Sequence, residues 1–391
     1  MARANCSLLS IFVMRIGIDG LPLLTPLTGV GHYTLELARA LASIAPTDEF
    51  ELISPRPPSL AAAEKLNHAT PANLRWVQSK RWRLNRYWWG AGLPLHLRRS
   101  SLDLFHGTNF EIPFWDKRPA VLTIHDLSSL LHPEKHEKRL ARRARWRLPL
   151  MVKSAAMIIT PTESVKRELC EHLGVDSGKV AVTPEAPRSV FKRVESEQAI
   201  ETRKRLGIRD NFILFVGTIE PRKNLLTLAR AFDQILRQTS LRPQLVIAGK
   251  EGWLMNDLFR FINRAGIQDD VCFTGYLGDD DLRALYSSCT LFVYPSLYEG
   301  FGLPPLEAMA CGAPVITSRI PPIMETVETA AYLVDPANAQ ELASAIVRLL
   351  EDPGAREQLS ILGAQQVRNF TWERTASLTL EVYKEVLGLT G

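Results

Sequence analysis

Residues 291–318 read LFVYPSLYEGFGLPPLEAMACGAPVITS, and the fold prediction starts from this stretch. The apolar run at its start is typical of a buried strand, which must end at Pro295. Pro304 and Pro305 stand where a helix can begin, because the first helical turn tolerates proline. Gly312 is a helix stop. The stretch therefore predicts a strand at 291–293, a loop with Gly300 and Gly302, a helix at 306–311 and a strand at 314–317.

The loop between the first strand and the helix predicts a phosphate site. A helix start after a glycine loop presents unpaired backbone N–H groups and a partial positive charge, which favour a phosphate or diphosphate. Glu299 ends the strand and Glu307 lies in the first helical turn, so both can face one crevice at the carboxyl edge of a parallel sheet. The simpler interpretation is a solvated loop acid at 299 and a dipole-stabilising acid at 307.

The same residues resemble a known motif. Glu299-Gly300-Phe301-Gly302, Glu307-Ala308 and Gly312-Ala313-Pro314-Val315 resemble the paired-glutamate motif of the family 4 retaining glycosyltransferases, nucleotide-sugar enzymes of the GT-B fold. The resemblance implies that Glu299 contacts the donor sugar, that Glu307 contacts the ribose, and that the amides of Gly300, Phe301, Gly302 and Leu303 hold the diphosphate. It also implies an α/β fold of two Rossmann-like domains whose parallel sheets face a central cleft.

The length and the rhythm of the chain predict two domains. The chain has 391 residues, too many for one ordinary core. Strands alternate with helices in both halves, which indicates parallel sheets, and a proline- and charge-rich stretch at 184–204 predicts the linker. We expect a terminal extension at 1–13, an acceptor domain at 14–190, a nucleotide-sugar domain at 191–370 and, by resemblance, a final helix at 371–391 that crosses back to the first domain.

Charge is unevenly distributed between the halves. Residues 1–190 hold 26 Lys and Arg against 17 Asp and Glu, whereas residues 191–391 hold 21 against 25. The first half therefore predicts an anionic partner. Five cysteines without metal-type spacing predict buried thiols in a reducing compartment. The apolar stretch from Leu8 to Ile18 is too short to span a bilayer, so we expect a cytoplasmic protein.

Two strand ends of the first half carry candidate site residues. Gly29-Val30-Gly31 is a partial dinucleotide fingerprint in a predicted loop, before a helix predicted from His32. The resemblance places Gly29 and Gly31 close to the donor diphosphate; otherwise they form a flexible turn. His125 follows the predicted strand 120–124. By resemblance it contacts the transferred sugar, and we expect Asp126 to orient it.

A second motif, Gly217-Thr218-Ile219-Glu220-Pro221-Arg222-Lys223-Asn224, follows the predicted strand 212–216. Arg222 and Lys223 suit a diphosphate leaving group, and we expect Asn224 to cap the next helix. A helix dipole disfavours cations at this end, so a nearby anion is the better explanation than two solvated cations. The family usually has an arginine directly after the strand glycine; Thr218 stands there instead, and Arg222 can supply the charge.

The remaining strand ends predict a base pocket but no metal. By resemblance the nucleobase lies near Gly275 and Tyr276, with Gly249 and Lys250 on the neighbouring strand. Asp279-Asp280-Asp281 resembles the acidic triplet of the other large glycosyltransferase fold, but it begins a helical pattern and is better explained by an N-cap at Asp279. We expect no metal and no cofactor beyond the nucleotide-sugar co-substrate.

Two basic segments are interleaved with aromatic residues, at 80–89 and 138–147. A solvated face is the simplest interpretation. Nucleic acid is an alternative, but no nucleic-acid-binding motif accompanies the charges. Tryptophan beside cations also suits an anionic membrane surface, which would fit a lipid-linked acceptor.

These features together predict a metal-independent, retaining hexosyltransferase. The sequence around Gly217–Asn224 resembles bacterial enzymes that assemble surface polysaccharides, often from GDP-mannose, so mannosyl transfer to a saccharide or polyprenyl-linked acceptor is the first expectation. His125, Lys223 and Glu299 are the predicted catalytic residues. One rival is an NAD-type oxidoreductase, whose glycine fingerprint is incomplete here; the other is a non-catalytic protein that binds carbohydrate or nucleic acid.

Overall fold

The computed structural model describes residues 12–25, 27–67, 70–79, 87–113, 116–253 and 255–389. Most of the predicted extension 1–13, and residues 80–86 of the first basic aromatic segment, lie outside the described residues. Two compact units divide the chain. One is drawn from 1–124, 150–159 and 376–391, and the other from 125–149 and 160–375.

The first half of the chain builds a seven-stranded sheet in the order β3-β2-β1-β4-β5-β6-β7. Neighbouring strands from β3 through β6 pair in parallel. The strands are β1 Arg15–Asp19, β2 Glu49–Ser54, β3 Leu74–Gln78, β4 Leu104–Gly107, β5 Ala120–Thr123, β6 Met157–Thr160 and β7 Val180–Val182. The α-helices connecting them are α1 Gly29–Ile44, α2 Leu60–Asn67, α3 Leu93–Leu97, α4 Ser128–Leu131, α5 Lys138–Ser154 and α6 Glu163–Leu173.

The second half builds a six-stranded parallel sheet in the order β10-β9-β8-β11-β12-β13. Its strands are β8 Phe212–Val216, β9 Gln244–Ala248, β10 Val271–Gly275, β11 Leu291–Tyr294, β12 Val315–Ser318 and β13 Tyr332–Val334. The α-helices are α7 Ser196–Arg205, α8 Leu225–Gln238, α9 Asn256–Ala265, α10 Asp279–Ser288, α11 Leu303–Ala310, α12 Pro321–Val327, α13 Ala339–Glu351, α14 Pro353–Gln366 and α15 Trp372–Val386. The prediction of two parallel α/β sheets is confirmed.

Burial explains why the strands were predictable. All five residues of β8 and all four of β11 are buried, as expected for strands covered on both faces, which read as continuous apolar runs. Where β8 and β9 end, the chain needs glycine. A Cβ at Gly249 would lie 1.9 Å from the carbonyl oxygen of Gly217, so these two strand ends approach too closely for any side chain.

The first helix begins three residues earlier than predicted. Thr28 is extended and α1 starts at Gly29, so Gly29 and Gly31 lie in the first helical turn and not in a loop. Glycine is required at 31 because a Cβ would lie 2.9 Å from the carbonyl oxygen of Pro22. The sequence pattern does not show that close contact.

The last helix packs against the first sheet through a buried histidine. Tyr383 of α15 is fully buried, and its hydroxyl lies 2.7 Å from Nδ1 of His106 on β4. Nε2 of His106 lies 2.7 Å from the Thr123 hydroxyl on β5. The buried Tyr383 hydroxyl, both His106 ring nitrogens and the Thr123 hydroxyl therefore all have hydrogen-bond partners.

Two other expectations can be compared with the described residues. Cys289 and Cys311 are buried, as predicted, whereas Cys170 and Cys272 are only partly buried; all four are free thiols. Within the described ranges, no helix is both long enough and apolar enough to cross a membrane.

Candidate active site

The loop after β8 brings two cations to the edge of the second sheet. Residues 221–223 form a short 3-10 turn and Asn224 follows in the left-handed region at φ 61°. Asn224 is the N-cap residue of α8, as predicted, but its side chain makes no capping hydrogen bond. Its amide instead donates to the carbonyl oxygens of Pro295 (3.0 Å) and Pro336 (2.7 Å), and so ties this loop to the end of β11.

Glu299 is the centre of a buried hydrogen-bonded cluster. Nζ of Lys223 lies 2.6 Å from its Oε1, and Nη1 of Arg222 lies 3.1 Å from its Oε2. The hydroxyls of Tyr294 (2.9 Å) and Ser296 (2.5 Å) also donate to Oε1. The interpretation of Glu299 as a solvated loop acid is therefore wrong.

The charges of this cluster balance. Arg222 also pairs with Glu220 at 2.8 Å, so two cations face two carboxylates, all of them largely buried. Burial alone would raise the pKa of Glu299, but Lys223 and Arg222 outweigh it and hold that pKa at about 2. Burial and the neighbouring Arg222 lower the pKa of Lys223 against the opposing effect of Glu299. The anion expected beside the cations is, in this structure, the chain's own Glu299.

The glycine loop leads directly into α11. Gly302 is the residue before the helix, with φ 103°, and a Cβ there would lie 2.4 Å from Cδ1 of Ile323. A Cβ at Gly300 would lie 1.8 Å from the carbonyl oxygen of His125. Phe301 is buried against the Phe370 ring, with centroids 5.6 Å apart. The helix begins at Leu303, three residues before the predicted start, which places the amides of the loop at its N-terminus.

His125 lies beside this loop and has a partner that the sequence did not suggest. Its Nδ1 is 2.8 Å from Oε1 of Glu185, and both side chains are largely buried. Nδ1 of His125 thus has Glu185 as its partner and not the predicted Asp126, whose Oδ1 accepts from the amide (2.8 Å) and the hydroxyl (2.6 Å) of Ser128.

Glu307 is held by an arginine. Nε of Arg188 lies 3.5 Å from its Oε1, and the Tyr286 hydroxyl donates to its Oε2 at 3.4 Å. Burial raises the pKa of Glu307 to about 7, against the opposing effect of Arg188. Arg188 also pairs with Asp279 at 2.6 Å. Asp279 is the first residue of α10 and Gly278 is the N-cap, so the predicted capping role of Asp279 is wrong.

The predicted base pocket and the first glycine pair stay predictions. The Gly249 amide donates to the Gly275 carbonyl at 2.9 Å, and Nζ of Lys250 lies 4.9 Å from the Tyr276 ring centroid, so these residues meet at one sheet edge. Gly29 and Gly31 belong to the other compact unit.

Sequence reasoning missed Glu185 and Arg188, which lie in the stretch predicted as a linker. A signal for Glu185 exists. It follows β7 by three residues, and β7 is two strands from β5 in the sheet, so Glu185 and His125 end strands at the same edge. Arg188 has no comparable signal, because its carboxylate partners Asp279 and Glu307 are more than ninety residues away in the chain.

Two parallel α/β sheets, with a glycine loop, buried acids and cations at the carboxyl edge of the second, define the GT-B class of glycosyltransferase. Residues 27–186 match the model described as Glycosyltransferase Family 4, and residues 198–366 match the model described as Glycosyl transferases group 1. The chain belongs to this glycosyltransferase family.

Individual proteins agree with this assignment. The chain is 30% identical over 387 residues to the O-antigen chain mannosyltransferase B of Escherichia coli, covering 95% of this chain and all of the relative. It is 28% identical to the O-antigen chain mannosyltransferase RfbU of Salmonella typhimurium, covering 84% and 89%. The crystal structure of Anabaena HepE in complex with UDP and glucose has the same fold, with a TM-score of 0.74 at 20% identity over 96% of this chain and all of that one.

Proposed function

We propose that this glycosyltransferase moves a mannosyl group from a nucleotide sugar, with GDP-mannose the first candidate, to a saccharide or polyprenyl-linked saccharide acceptor in bacterial surface polysaccharide synthesis. The sugar and the pathway are supported by relatives named as O-antigen mannosyltransferases. The cluster of Glu299 with Lys223 and Arg222, beside the amides that start α11, is the observation that carries the proposal for the site.

Under this proposal the donor diphosphate pairs with the two cations of the cluster in place of Glu299. Lys223 and Arg222 exchange Glu299 for phosphate oxygens, and the amides from Gly300 to Leu303 donate to the same group. Glu299 is then available to accept hydrogen bonds from the sugar hydroxyls. Gly29 and Gly31, at the start of α1, stay candidates for a further diphosphate contact.

The reaction proposed is retaining and forms no covalent enzyme intermediate. The bond from C1 of the sugar to the phosphate oxygen breaks, a bond from C1 to the acceptor oxygen forms on the same face, and the acceptor proton passes to the departing phosphate. A double displacement needs a free carboxylate at C1 with a partner about 5 Å away. Glu299 is a poor nucleophile, because the hydroxyls of Tyr294 and Ser296 still donate to its Oε1 after Lys223 and Arg222 have turned to the diphosphate.

Metal independence is part of the proposal. Asp279 pairs with Arg188, Asp280 with Arg283 and Asp281 with Arg205, which supports the interpretation of the acidic triplet as part of a charged helix start. Lys223 and Arg222 supply positive charge where the leaving diphosphate would lie. Turnover in excess EDTA should equal turnover without it, and a loss restored by Mg²⁺ or Mn²⁺ would reject this part.

The deciding experiment is turnover of a panel of GDP- and UDP-sugars with a polyprenyl-linked saccharide, followed by proton NMR of the new linkage. We expect mannosyl transfer with the donor's anomeric configuration kept. An inverted linkage rejects the retaining mechanism, and transfer of another sugar rejects the mannosyl assignment. Stabilisation by NAD but by no nucleoside diphosphate would favour the oxidoreductase rival.

Helix α5 supports an association with the inner face of the cell membrane. It carries seven Lys and Arg and no acid, and Trp146 and Leu150, one turn apart, are 73% and 53% exposed. Exposed apolar side chains among cations suit an anionic lipid surface, where each cation contributes about 1 kcal/mol. The predicted segment 138–147 falls on this helix.

Vesicle co-sedimentation tests this surface. Arg142→Gln with Arg145→Gln should weaken binding to anionic vesicles about 30-fold, from about 1 kcal/mol per charge. The matched control removes two exposed cations of α9, with Arg260→Gln and Arg264→Gln, and should bind as the parent does. Equal binding of the parent to neutral and anionic vesicles, or binding to neither, contradicts the proposal.

A further inference from the structure

One short segment contacts both His125 and Glu307. Residues Glu185, Ala186, Pro187 and Arg188 follow β7, and the side chains of Glu185 and Arg188 are both buried. Pro184, just before it, accepts a hydrogen bond from the Thr375 hydroxyl at 2.6 Å, which anchors the start of the segment. Pro187 restricts the backbone further. The segment is thus built to hold its two charged side chains in fixed places.

Glu185 sets the orientation of the His125 ring. An ionised carboxylate only accepts hydrogen bonds, so at 2.8 Å it requires a proton on Nδ1 of His125. In the neutral ring this makes Nε2 the acceptor nitrogen. A glutamine at 185 could either donate or accept, and would no longer impose one tautomer.

Arg188 sets the position of Glu307. Its guanidinium is held on two further sides, by Asp279 at 2.6 Å and by the Phe191 ring, 4.5 Å from Cζ to the centroid. Nε therefore faces Glu307 from a fixed place, and the positive charge favours the ionised form of a carboxylate that burial would otherwise neutralise.

We propose that Glu185 and Arg188 are positioning residues, through which this one segment aligns the group that meets the donor sugar with the group that meets the ribose. The inference rests on the proposed function for the roles of His125 and Glu307. The contacts themselves are those of the structure, and neither Glu185 nor Arg188 is assigned a contact with substrate. Outer-shell partners that orient metal ligands typically contribute about 10- to 100-fold to affinity or activity, and we take the same range for Glu185 and Arg188.

The Glu185 half is tested by Glu185→Gln, which keeps the side-chain shape. We expect kcat to fall at least about 10-fold with the donor KM little changed. Nitrogen-15 NMR of histidine-labelled protein, with the His125 signals assigned by their loss in His125→Asn, should show a changed tautomer pattern without any substrate. An unchanged pattern, or a kcat within twofold of the parent, overturns this half. Glu341→Gln, which removes a partly exposed partner of Arg319, is the control and should leave both readouts unchanged.

The Arg188 half is tested by Arg188→Gln and its matched control Arg205→Gln. Arg205 pairs with Asp281 in the same helical turn as Asp279 but has no contact with Glu307 among those of the described residues. Calorimetric titration with GDP and UDP should show about 10-fold weaker binding for Arg188→Gln and parental binding for the control. Binding within twofold of the parent overturns this half. Absence of nucleotide-sugar turnover in the parent rejects the proposed function instead, and the NMR result still decides the role of Glu185.

Discussion

Replacing Lys223 with methionine should lower both the free energy of unfolding of the protein and its turnover rate. The substitution keeps most of the apolar stem but removes the ammonium 2.6 Å from Glu299, and so leaves a buried carboxylate with Arg222 as its remaining cation. Breaking a buried ion pair by removing one partner costs about 3–5 kcal/mol. Turnover should also fall by about 10²–10³, as it does when a single electrostatic stabiliser of a transition state is removed.

The lowered pKa of Glu299 reflects the combined effect of Lys223, Arg222 and the hydrogen bonds of the cluster, which outweighs burial. This pKa is lowered from 4.5 to about 2, which corresponds to about 3 kcal/mol of folding free energy. Because the folded-state pKa is depressed, this stability is present above pH 4.5 and is lost as the pH falls through about 2. In Lys223→Met the loss of stability over that pH range should be smaller than in the parent.

Urea unfolding followed by tryptophan fluorescence, at several pH values, measures both effects. The double variant Lys223→Met with Glu299→Gln removes both charges and should recover part of the loss, with a coupling energy of about 2 kcal/mol. Lys250→Met, an exposed lysine at the end of the neighbouring strand, is the control and should cost less than about 1 kcal/mol. A loss below about 1 kcal/mol in Lys223→Met, or strict additivity in the double variant, would refute the reasoning.

Three further predictions follow from single contacts. Glu299→Gln leaves one positive charge uncompensated, so calorimetry should show GDP binding about 10-fold tighter than in the parent. Turnover should stay measurable, because an amide still contacts the sugar hydroxyls. Weaker GDP binding would contradict the proposal that Lys223 and Arg222 exchange Glu299 for phosphate oxygens. Gly300→Ala places a methyl group 1.8 Å from the His125 carbonyl oxygen and should lower both the thermal midpoint of unfolding and turnover. Parental values for both would show that the loop backbone can shift to accommodate the methyl group. Burial raises the pKa of Asp19 from 3.8 to about 7, so the parent should lose up to about 4 kcal/mol of stability as the pH rises from 4 to 7. Asp19→Asn should therefore be more stable than the parent at pH 8 but not at pH 4. Urea denaturation of both proteins at the two pH values tests this.

Much of the fold could be predicted, because central strands such as β8 and β11 are fully buried and read as continuous apolar runs. The predicted strand 212–216 has the bounds that the structure shows, and the helical pattern predicted to begin at Asp279 is α10. Helix starts were less predictable. Residues 29 and 303 begin helices three residues before the expected positions. Glycines at both places, Gly31 and Gly302, approach neighbouring atoms too closely for a side chain, and such contacts leave no periodic signal.

The site was predictable as a set of residues but not as a set of contacts. Glu299 and Lys223 were both expected at the second sheet, yet their pairing joins residues 76 positions apart and depends on β8 and β11 being neighbours. Glu185 was missed for the same reason, because its relation to His125 follows from the order β5-β6-β7. The local sequence pattern predicts which polar side chains lie at strand ends, but the order of the strands in the sheet determines which of these side chains are in contact.

The charge balance of the Glu299 cluster explains how one acid can serve both the fold and the proposed reaction. Lys223 and Arg222 buried without carboxylate partners would cost several kcal/mol, so a site prepared for a diphosphate needs an internal anion while it is empty. Two carboxylates against two cations give no net attraction for a diphosphate, and the gain on binding must come from the amides at the start of α11 and from new hydrogen bonds to the released Glu299. Both gains depend on geometry that only Gly300 and Gly302 allow. The proposed reaction therefore requires Gly300 and Gly302, which allow the loop amides to reach the diphosphate, next to Glu299, which neutralises the cations until the diphosphate binds.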